Sequence, residues 1–144
     1  VSDIRKWAIA VYYPETPPRN FWDEAFAART KYRGIVAPEE FNPFAWSTQQ
    51  PSLTDPKVSQ TAFSERELGV RPPDFKAILL TEIRERYGPT RIRPGDVIRS
   101  TVRISEYFER EGRMGHMLYT TLANEWHNQA GEWVRTTESV FVRY

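Results

Sequence analysis

Residues 97–108, VIRSTVRISEYF, decide the fold of this chain, because apolar and polar side chains alternate along them. Ile98, Val102, Ile104 and Phe108 fall on one face of an extended strand, whereas arginine, threonine and serine residues fall on the other face. A period of two residues is the spacing of side chains along a strand. The segment is therefore predicted to be a β-strand with one apolar face.

Three further strands are predicted around this one. Residues 77–87, 117–126 and 132–143 are rich in β-branched and aromatic residues, and NQAG at 128–131 is typical of a hairpin turn between the last two. The last strand places valines opposite arginines and a threonine, namely Val134, Val140 and Val142 opposite Arg135, Thr137 and Arg143. The second half of the chain is therefore predicted to form an antiparallel meander.

The beginning of the chain has helical patterns instead. Apolar residues recur at intervals of three and four from Ile4 onward, which predicts a helix that is capped by Ser2 or Asp3 and ends before Pro14. A short second helix is predicted over 23–30, where two carboxylates lie near its positive N-terminal end. Helices followed by strands are the order of an α+β fold.

A third helix is predicted to begin at Pro38, which is followed by Glu39 and Glu40 as in many helix openings. Its apolar stripe would consist of Phe41, Phe44 and Ala45. Residues 47–76 then form a long excursion with four prolines among polar residues. Such a connection is unusual inside a compact domain and is often functional.

Composition limits the classes of function. The 144 residues are enough for one domain, which we predict to cover residues 1–144. The 20 basic and 19 acidic residues nearly cancel, so we expect no nucleic-acid partner. The chain has no cysteine and no apolar run near the roughly 20 residues that span a bilayer. We therefore expect a cytoplasmic protein without a metal site or a membrane partner.

Four local sequences occur in an order that is known from one family. They are IRKWAIA at 4–10, WDEA at 22–25 with YRGIVAP at 32–38, RIRPGD at 91–96, and YFEREGR at 107–113 with NQAGEWV at 128–134. Together they resemble the N-terminal domain of the MaoC-like dehydratases, which include R-specific enoyl-CoA hydratases and 3-hydroxyacyl-thioester dehydratases. The resemblance implies a hot-dog fold, in which an antiparallel sheet wraps around a central helix, here the segment after Pro38.

The resemblance also implies a chemistry that this chain lacks. Hydration of an enoyl thioester needs a base that activates water and an acid that protonates the α-carbon. The family carries an Asp and a His in a D-x-N-P-x-H loop, and the matching residues 12–22 here are YYPETPPRNFW. Glu15 is the one carboxylate in this loop, and Asn20 or Phe21 takes the place of the histidine. No catalytic residue is therefore expected in this chain, with Glu15 as the weak candidate.

Neither of the two histidines is an evident substitute. His116 begins a predicted strand and His127 lies beside the predicted turn, far from the loop in sequence. We interpret both as structural or surface residues.

The remaining candidates concern binding. Phe41, Phe44 and Trp46 could line an acyl tunnel, although aromatic residues at helical spacing more often belong to a core. Arg91 and Arg93 could bind the phosphates of coenzyme A, although a solvated strand end is the more ordinary role. Coenzyme A would enter as part of the substrate, and no separate cofactor is expected.

The preferred hypothesis is therefore a hot-dog subunit of an enoyl-CoA hydratase that shapes the acyl tunnel for a partner subunit. By the resemblance, that partner bears the Asp and the His, in a heterodimer or heterotetramer that degrades fatty-acid or steroid acyl groups. Two alternatives stay open. One is a self-sufficient homodimeric hydratase that uses Glu15 or another acid, and the other is an acyl-CoA-binding module without turnover.

Overall fold

A computed structural model describes residues 2–45, 65, 69–71, 74–113 and 115–144. Two α-helices come first, α1 (Ser2–Tyr12) and α2 (Glu24–Ala27), with a short 3-10 helix at Arg19–Phe21 between them. Four strands follow, namely β1 (Ile78–Tyr87), β2 (Arg99–Gly112), β3 (Gly115–His127) and β4 (Trp133–Arg143). The predicted helices at the start and all four predicted strands are therefore confirmed, whereas the 3-10 helix was not predicted.

The four strands form one sheet in the order β1-β4-β3-β2. Ala77 and Tyr144 exchange backbone hydrogen bonds, and the Gly88 N–H donates to the Val134 carbonyl over 2.7 Å. The partner residues therefore run in opposite directions along β1 and β4, which makes this pair antiparallel. Asn128 closes the predicted turn between β3 and β4, because its side chain accepts from the backbone N–H groups of Ala130 and Glu132.

The N-terminal helices follow their sequence signals closely. Ile4 and Ala8 are buried on the apolar side of α1, but Val11, which the same spacing placed there, is 49% exposed. The Asp23 side chain accepts from the Phe26 N–H over 2.9 Å and caps α2. The pKa of Asp23 is lowered by this backbone hydrogen bond and by the hydrogen bond from Arg19.

The predicted helix after Pro38 is wrong for the residues that the structure describes there. Residues 38–45 form turns, not a helix. The Asn42 side chain accepts from the Phe44 N–H over 3.0 Å, which is a local turn that competes with helix formation. Pro43 strengthens this preference, since it lacks an N–H donor and disfavours the helical conformation of the residue before it.

The predicted excursion over 47–76 lies mostly outside the described residues. Within it, Glu65 is buried, and the Lys76 N–H donates to the Tyr144 carbonyl over 2.9 Å.

The described residues group into two compact units. The first contains 2–45, 87–100 and 126–135, and its apolar core is formed by the N-terminal helices, the segment after them and the ends of the strands. The buried core residues are Ile4, Ala27, Ile35, Ala37, Phe41, Ile92, Trp126 and Val134. The second unit contains the described residues of 65–86, 101–125 and 136–144. The predicted single domain over residues 1–144 stays a prediction.

The alternation predicted for β4 does not separate a buried face from a solvated one. Val134 and Val142 are buried as expected, but Arg135 and Arg143 on the opposite face are buried too, with 8% and 4% exposure. Each arginine is stabilised there by neighbours: Arg135 lies 3.8 Å from the centre of the Trp126 ring, and Arg143 forms an ion pair.

Candidate functional site

The site begins with a buried backbone pairing in the first unit. Ile35, Val36 and Ala37 are buried, and the Ala37 N–H donates to the Ile92 carbonyl over 2.8 Å. Ile92 is itself buried. Side chains alternate along an extended segment, so Arg91 and Arg93 on either side of Ile92 point away from the core.

The loop at residues 12–22 is held against the same segment. The Trp22 indole N–H donates to the Pro17 carbonyl over 3.0 Å, and the Arg19 guanidinium binds the Asp23 carboxylate at 2.6 Å. The Val36 N–H donates to the Asn20 carbonyl over 3.4 Å. These contacts hold Asn20, at the position expected for the histidine, beside the YRGIVAP segment around Val36.

A cleft of about 180 Å³ opens at this loop, and we call it the loop cleft. It is lined by polar, aromatic and apolar residues from four segments, namely Tyr12, Asn20, Phe21, Tyr32, Val36, Ala37, Glu39, Glu40 and Arg91. Two carboxylates therefore face the cleft in which the expected dyad is missing. Sequence reasoning assigned Glu39 and Glu40 to a helix opening and missed this role.

The weak catalytic candidate does not share this cleft. Glu15 is exposed and is not among the lining residues, and its backbone N–H donates to the Tyr12 carbonyl over 2.7 Å. His116 belongs to the second unit, where its Nδ1 lies 2.8 Å from the Glu111 carboxylate. Hydrogen bonds that the His116 ring donates to the carboxylates of Glu111 and Glu109 raise the pKa of His116. This exposed hairpin contact accounts for His116 without a catalytic role.

A second, larger cleft of about 470 Å³ lies on the outward side of the pairing, and we call it the cationic cleft. Its lining residues are Lys31, Tyr32, Pro89, Thr90, Arg91, Arg93 and Glu132. The cleft is lined by Arg91 and Arg93, the two candidates named from the sequence, and by Lys31 from a distant part of the chain. Sequence reasoning missed Lys31, since nothing in its own neighbourhood marks it.

The three cations are held in different ways. The Arg93 guanidinium donates to the Tyr32 carbonyl over 2.7 Å, and the Lys31 ammonium lies 5.1 Å from the centre of the Tyr32 ring. Arg91 forms an ion pair with Glu39, which lines the loop cleft. The Arg91–Glu39 pair therefore lies where the two clefts share a wall.

Two of the three aromatic candidates, Phe41 and Phe44, are placed by the structure, and the third, Trp46, is not described. Phe41 is 5% exposed and packs edge-on against Trp7 with ring centres 5.7 Å apart, and Phe44 packs against Trp126 at 5.2 Å. Both belong to the packing of the first unit's core. Trp46 lies outside the described residues. A contact between any of them and an acyl chain stays a prediction.

The second unit contains a buried polar cluster. The Arg143 guanidinium binds the Glu65 carboxylate at 2.5 Å and the Thr120 hydroxyl at 3.1 Å, and the Tyr107 hydroxyl donates to Glu65 over 2.9 Å. Burial raises the pKa of Glu65, whereas the hydrogen bonds from Arg143 and Tyr107 lower it. The net effect is a lowered pKa. Burial and the contact with Glu65 raise the pKa of Tyr107.

Metal binding has no geometric support in the part of the chain that the structure describes, where no group of three or more potential ligand side chains converges. None of the described helices is long and apolar enough to cross a membrane.

A sequence model of the FAS1-like dehydratase domain region matches residues 1–137. The chain belongs to this family. A search of curated protein sequences found no match. The dehydratase family assignment confirms the resemblance to MaoC-like dehydratases that the four local sequences indicated.

Solved structures confirm the fold of this FAS1-like dehydratase chain. The ChsH1-ChsH2 complex from Mycobacterium tuberculosis matches with a TM-score of 0.63 at 15% identity, covering 98% of this chain and 79% of that one. The C-terminally truncated HadBC complex, a 3R-hydroxyacyl-ACP dehydratase from Mycobacterium tuberculosis, matches with a TM-score of 0.61 at 21% identity, covering 98% and 85%. A MaoC-like dehydratase matches with a TM-score of 0.58 at 25% identity, covering 99% of this chain and 37% of that one. The predicted α+β hot-dog fold is confirmed.

Proposed function

We propose that this chain is a hot-dog subunit of an enoyl-CoA hydratase, and that it shapes the acyl tunnel for a partner subunit that bears the Asp and the His. The observation that carries the proposal is the composition of the loop cleft. Asn20 and Phe21 line it at the positions expected for the histidine. A side-chain amide neither gains nor loses a proton to change its charge near neutral pH, so Asn20 cannot act as the acid or the base of the hydration.

The sheet supports the need for a partner subunit. Within the sheet of described strands, β1 and β2 are the edges. Leu79, Leu80 and Ile83 on β1 are 50–56% exposed, and Val102 and Phe108 on β2 are 58% and 47% exposed. Edge strands with exposed apolar side chains readily pair with another chain. Two of the similar structures, ChsH1-ChsH2 and HadBC, are complexes.

The cationic cleft supports a substrate that carries phosphate groups. Arg91 and Arg93 bring planar guanidinium groups, which bind phosphate oxygens through paired hydrogen bonds. In the proposed complex they bind the phosphates of the coenzyme A part, while the acyl group, fatty or steroid, extends into the tunnel. The carboxylate and amide groups of the loop cleft lie next to this anion-binding wall.

A second candidate is favoured by one specific observation. Glu39 and Glu40 line the loop cleft and could supply the missing acid and base of a self-sufficient hydratase. In that case the chain alone would turn over substrate, and Glu40→Gln would abolish the rate, whereas Glu15→Gln would leave it unchanged because Glu15 does not line the cleft.

The experiment that tests the proposal is hydration of trans-2-enoyl-CoA substrates, followed through the loss of the conjugated thioester absorbance. We expect no turnover by the chain alone, and turnover when it is mixed with an Asp/His-bearing hot-dog subunit from the same organism. Turnover by the chain alone would refute the proposal and favour the second candidate. Binding of acyl-CoA without turnover in any mixture would indicate a binding module.

A further inference from the structure

The residues that line the cationic cleft carry more positive than negative charge. Its lining contains three cations, Lys31, Arg91 and Arg93, and one carboxylate, Glu132. The Glu132 carboxylate accepts from the Asn128 side-chain amide over 2.7 Å, and in the described part of the chain it forms no ion pair with these cations. The cleft therefore presents a local positive charge on a chain whose formal net charge is only +1. A concave site of this kind concentrates anions.

Contacts with Tyr32 position two of the cations before any ligand binds. The Tyr32 carbonyl accepts from the Arg93 guanidinium over 2.7 Å, and the Tyr32 ring lies below the Lys31 ammonium. Gly34 lies beside the Arg93 guanidinium, and its φ of +152° is a backbone conformation that residues with side chains rarely adopt. The carbonyl uses one of the five N–H donors of Arg93, and the others are left for a ligand.

Arg91 differs from these two, since it already holds an anion. Its guanidinium is 27% exposed and Glu39 is 41% exposed, so the ion pair is in contact with solvent. A partly exposed pair of this kind is weak, and either side chain can exchange it for another partner. A phosphate group carries more charge than a carboxylate and matches the guanidinium equally well, so it can displace Glu39.

We propose that the cationic cleft binds a phosphate group between Lys31, Arg91 and Arg93, and that Glu39 is an internal competitor that holds Arg91 until the ligand arrives. This inference rests on the proposed function only for the carrier of the phosphate, which would be coenzyme A. Displaced Glu39 remains on the wall of the loop cleft, so phosphate binding in one cleft frees a carboxylate in the other.

The test is a calorimetric titration of the full chain with pyrophosphate, adenosine 3′,5′-bisphosphate and inorganic phosphate at constant low salt. Glu39→Gln keeps the size of the side chain and removes its charge. Glu40→Gln is the matched control, because it removes the same charge from the next residue, which has no ion pair with Arg91 in the described chain. We expect Glu39→Gln to raise pyrophosphate affinity about two- to five-fold, the range of a partly exposed ion pair, and Glu40→Gln to raise it less.

A double-mutant cycle then separates competition from a general change in charge. In an Arg91→Met background, Glu39→Gln is expected to have no more effect than Glu40→Gln, because the residue for which Glu39 competes is gone. Equal effects of the two glutamate substitutions in the natural background would overturn the role of Glu39. So would an unchanged Glu39→Gln effect in the Arg91→Met background.

Failure of pyrophosphate, the bisphosphate and phosphate to bind would overturn the cationic cleft as a phosphate site. That result is distinct from failure of the proposed function, which is decided by hydration with a partner subunit. Tighter binding of the bisphosphate than of inorganic phosphate would support coenzyme A as the carrier, and equal binding would support a site for free phosphate. Circular dichroism of each variant checks that the fold is retained.

Discussion

The buried ion pair of the second unit makes the sharpest prediction for stability. Glu65 and Arg143 have side-chain exposures of only 7% and 5%, and their charged atoms are 2.5 Å apart. Glu65 comes from the 47–76 segment and Arg143 from the end of β4, so the pair joins residues far apart in the chain. We predict that Arg143→Met destabilises the protein strongly.

The magnitude follows from what the substitution leaves behind. Glu65 Oε2 has no hydrogen-bond partner among the described residues, and loss of Arg143 would leave Glu65 with the Tyr107 hydroxyl at 2.9 Å as its remaining side-chain donor. Removal of one partner from a buried ion pair costs about 3–5 kcal/mol, because the other charge stays buried without compensation. The double variant Glu65→Gln with Arg143→Met is expected to cost less than the two single changes added together.

Urea unfolding, followed by tryptophan fluorescence, measures these free energies. Arg103→Met is the matched control, since Arg103 pairs with Glu125 at 3.0 Å but is 55% exposed. Such a pair contributes about 0–1 kcal/mol. If Arg143→Met cost no more than Arg103→Met, the pair would be screened by solvent and the argument from burial would be refuted.

The same pair predicts a dependence on pH. The pKa of Glu65 is lowered in the folded state from an ordinary value of 4.5. A lowered pKa means that the folded state binds its proton less readily than the unfolded state, so the stabilisation is present above pH 4.5 and is lost as the pH falls through the lowered pKa. Between these values, the stability of the natural chain should fall more steeply with acid than that of Glu65→Gln.

Three further predictions concern single contacts. Gly88→Ala should lower the free energy of unfolding in urea by about 2–3 kcal/mol, because its Cβ would lie 2.3 Å from the Trp133 carbonyl oxygen, a backbone atom that cannot move aside. Gly95→Ala is not a suitable control, since Gly95 has a φ of +88° that strains any residue with a side chain. Asp23→Ala removes the cap of α2 and should cost about 1 kcal/mol by the same assay, with Asp23→Asn costing less. The raised pKa of His116 predicts that its ion pairs with Glu109 and Glu111 are fully formed below pH 6.5 and weaken as the pH rises through the raised pKa. An NMR titration of the ring measures this pKa, and an ordinary value would contradict the prediction.

Local signals in the sequence were sufficient for most of the fold. The alternation around Val102 and the turn residues at Asn128 predicted the strands and their hairpin, since both signals act over a few residues. The prediction of a helix after Pro38 was wrong, because Asn42 and Pro43 favour a turn more strongly than the preceding carboxylates favour a helix. The burial of Arg143 was not predictable from β4 itself, because it depends on Glu65, 78 residues away.

The candidate site divides in the same way. The lack of a histidine in residues 12–22 was evident from the sequence, because the pair that the resemblance implies would lie in this one short loop. The proximity of Lys31 and Glu39 to Arg91 was not evident from the sequence, because it depends on the pairing of Ala37 with Ile92, which brings two distant segments together. A short motif can show that a reacting group is absent, but only the folded chain shows which charges converge.

In the proposed subunit, which supplies neither the acid nor the base, the cations of the cationic cleft can still contribute to hydration. Phosphate groups of coenzyme A do not change charge when water adds to the acyl group, so contacts with them stabilise the bound substrate and the transition state equally. Such uniform binding lowers KM without changing the chemical step. It can also hold the acyl group in a fixed position, which is a separate contribution to the rate. In the proposed heteromer, Arg91 and Arg93 of this chain would supply both effects to a reaction whose proton transfers take place on the partner subunit, and neither effect requires the histidine that this chain lacks.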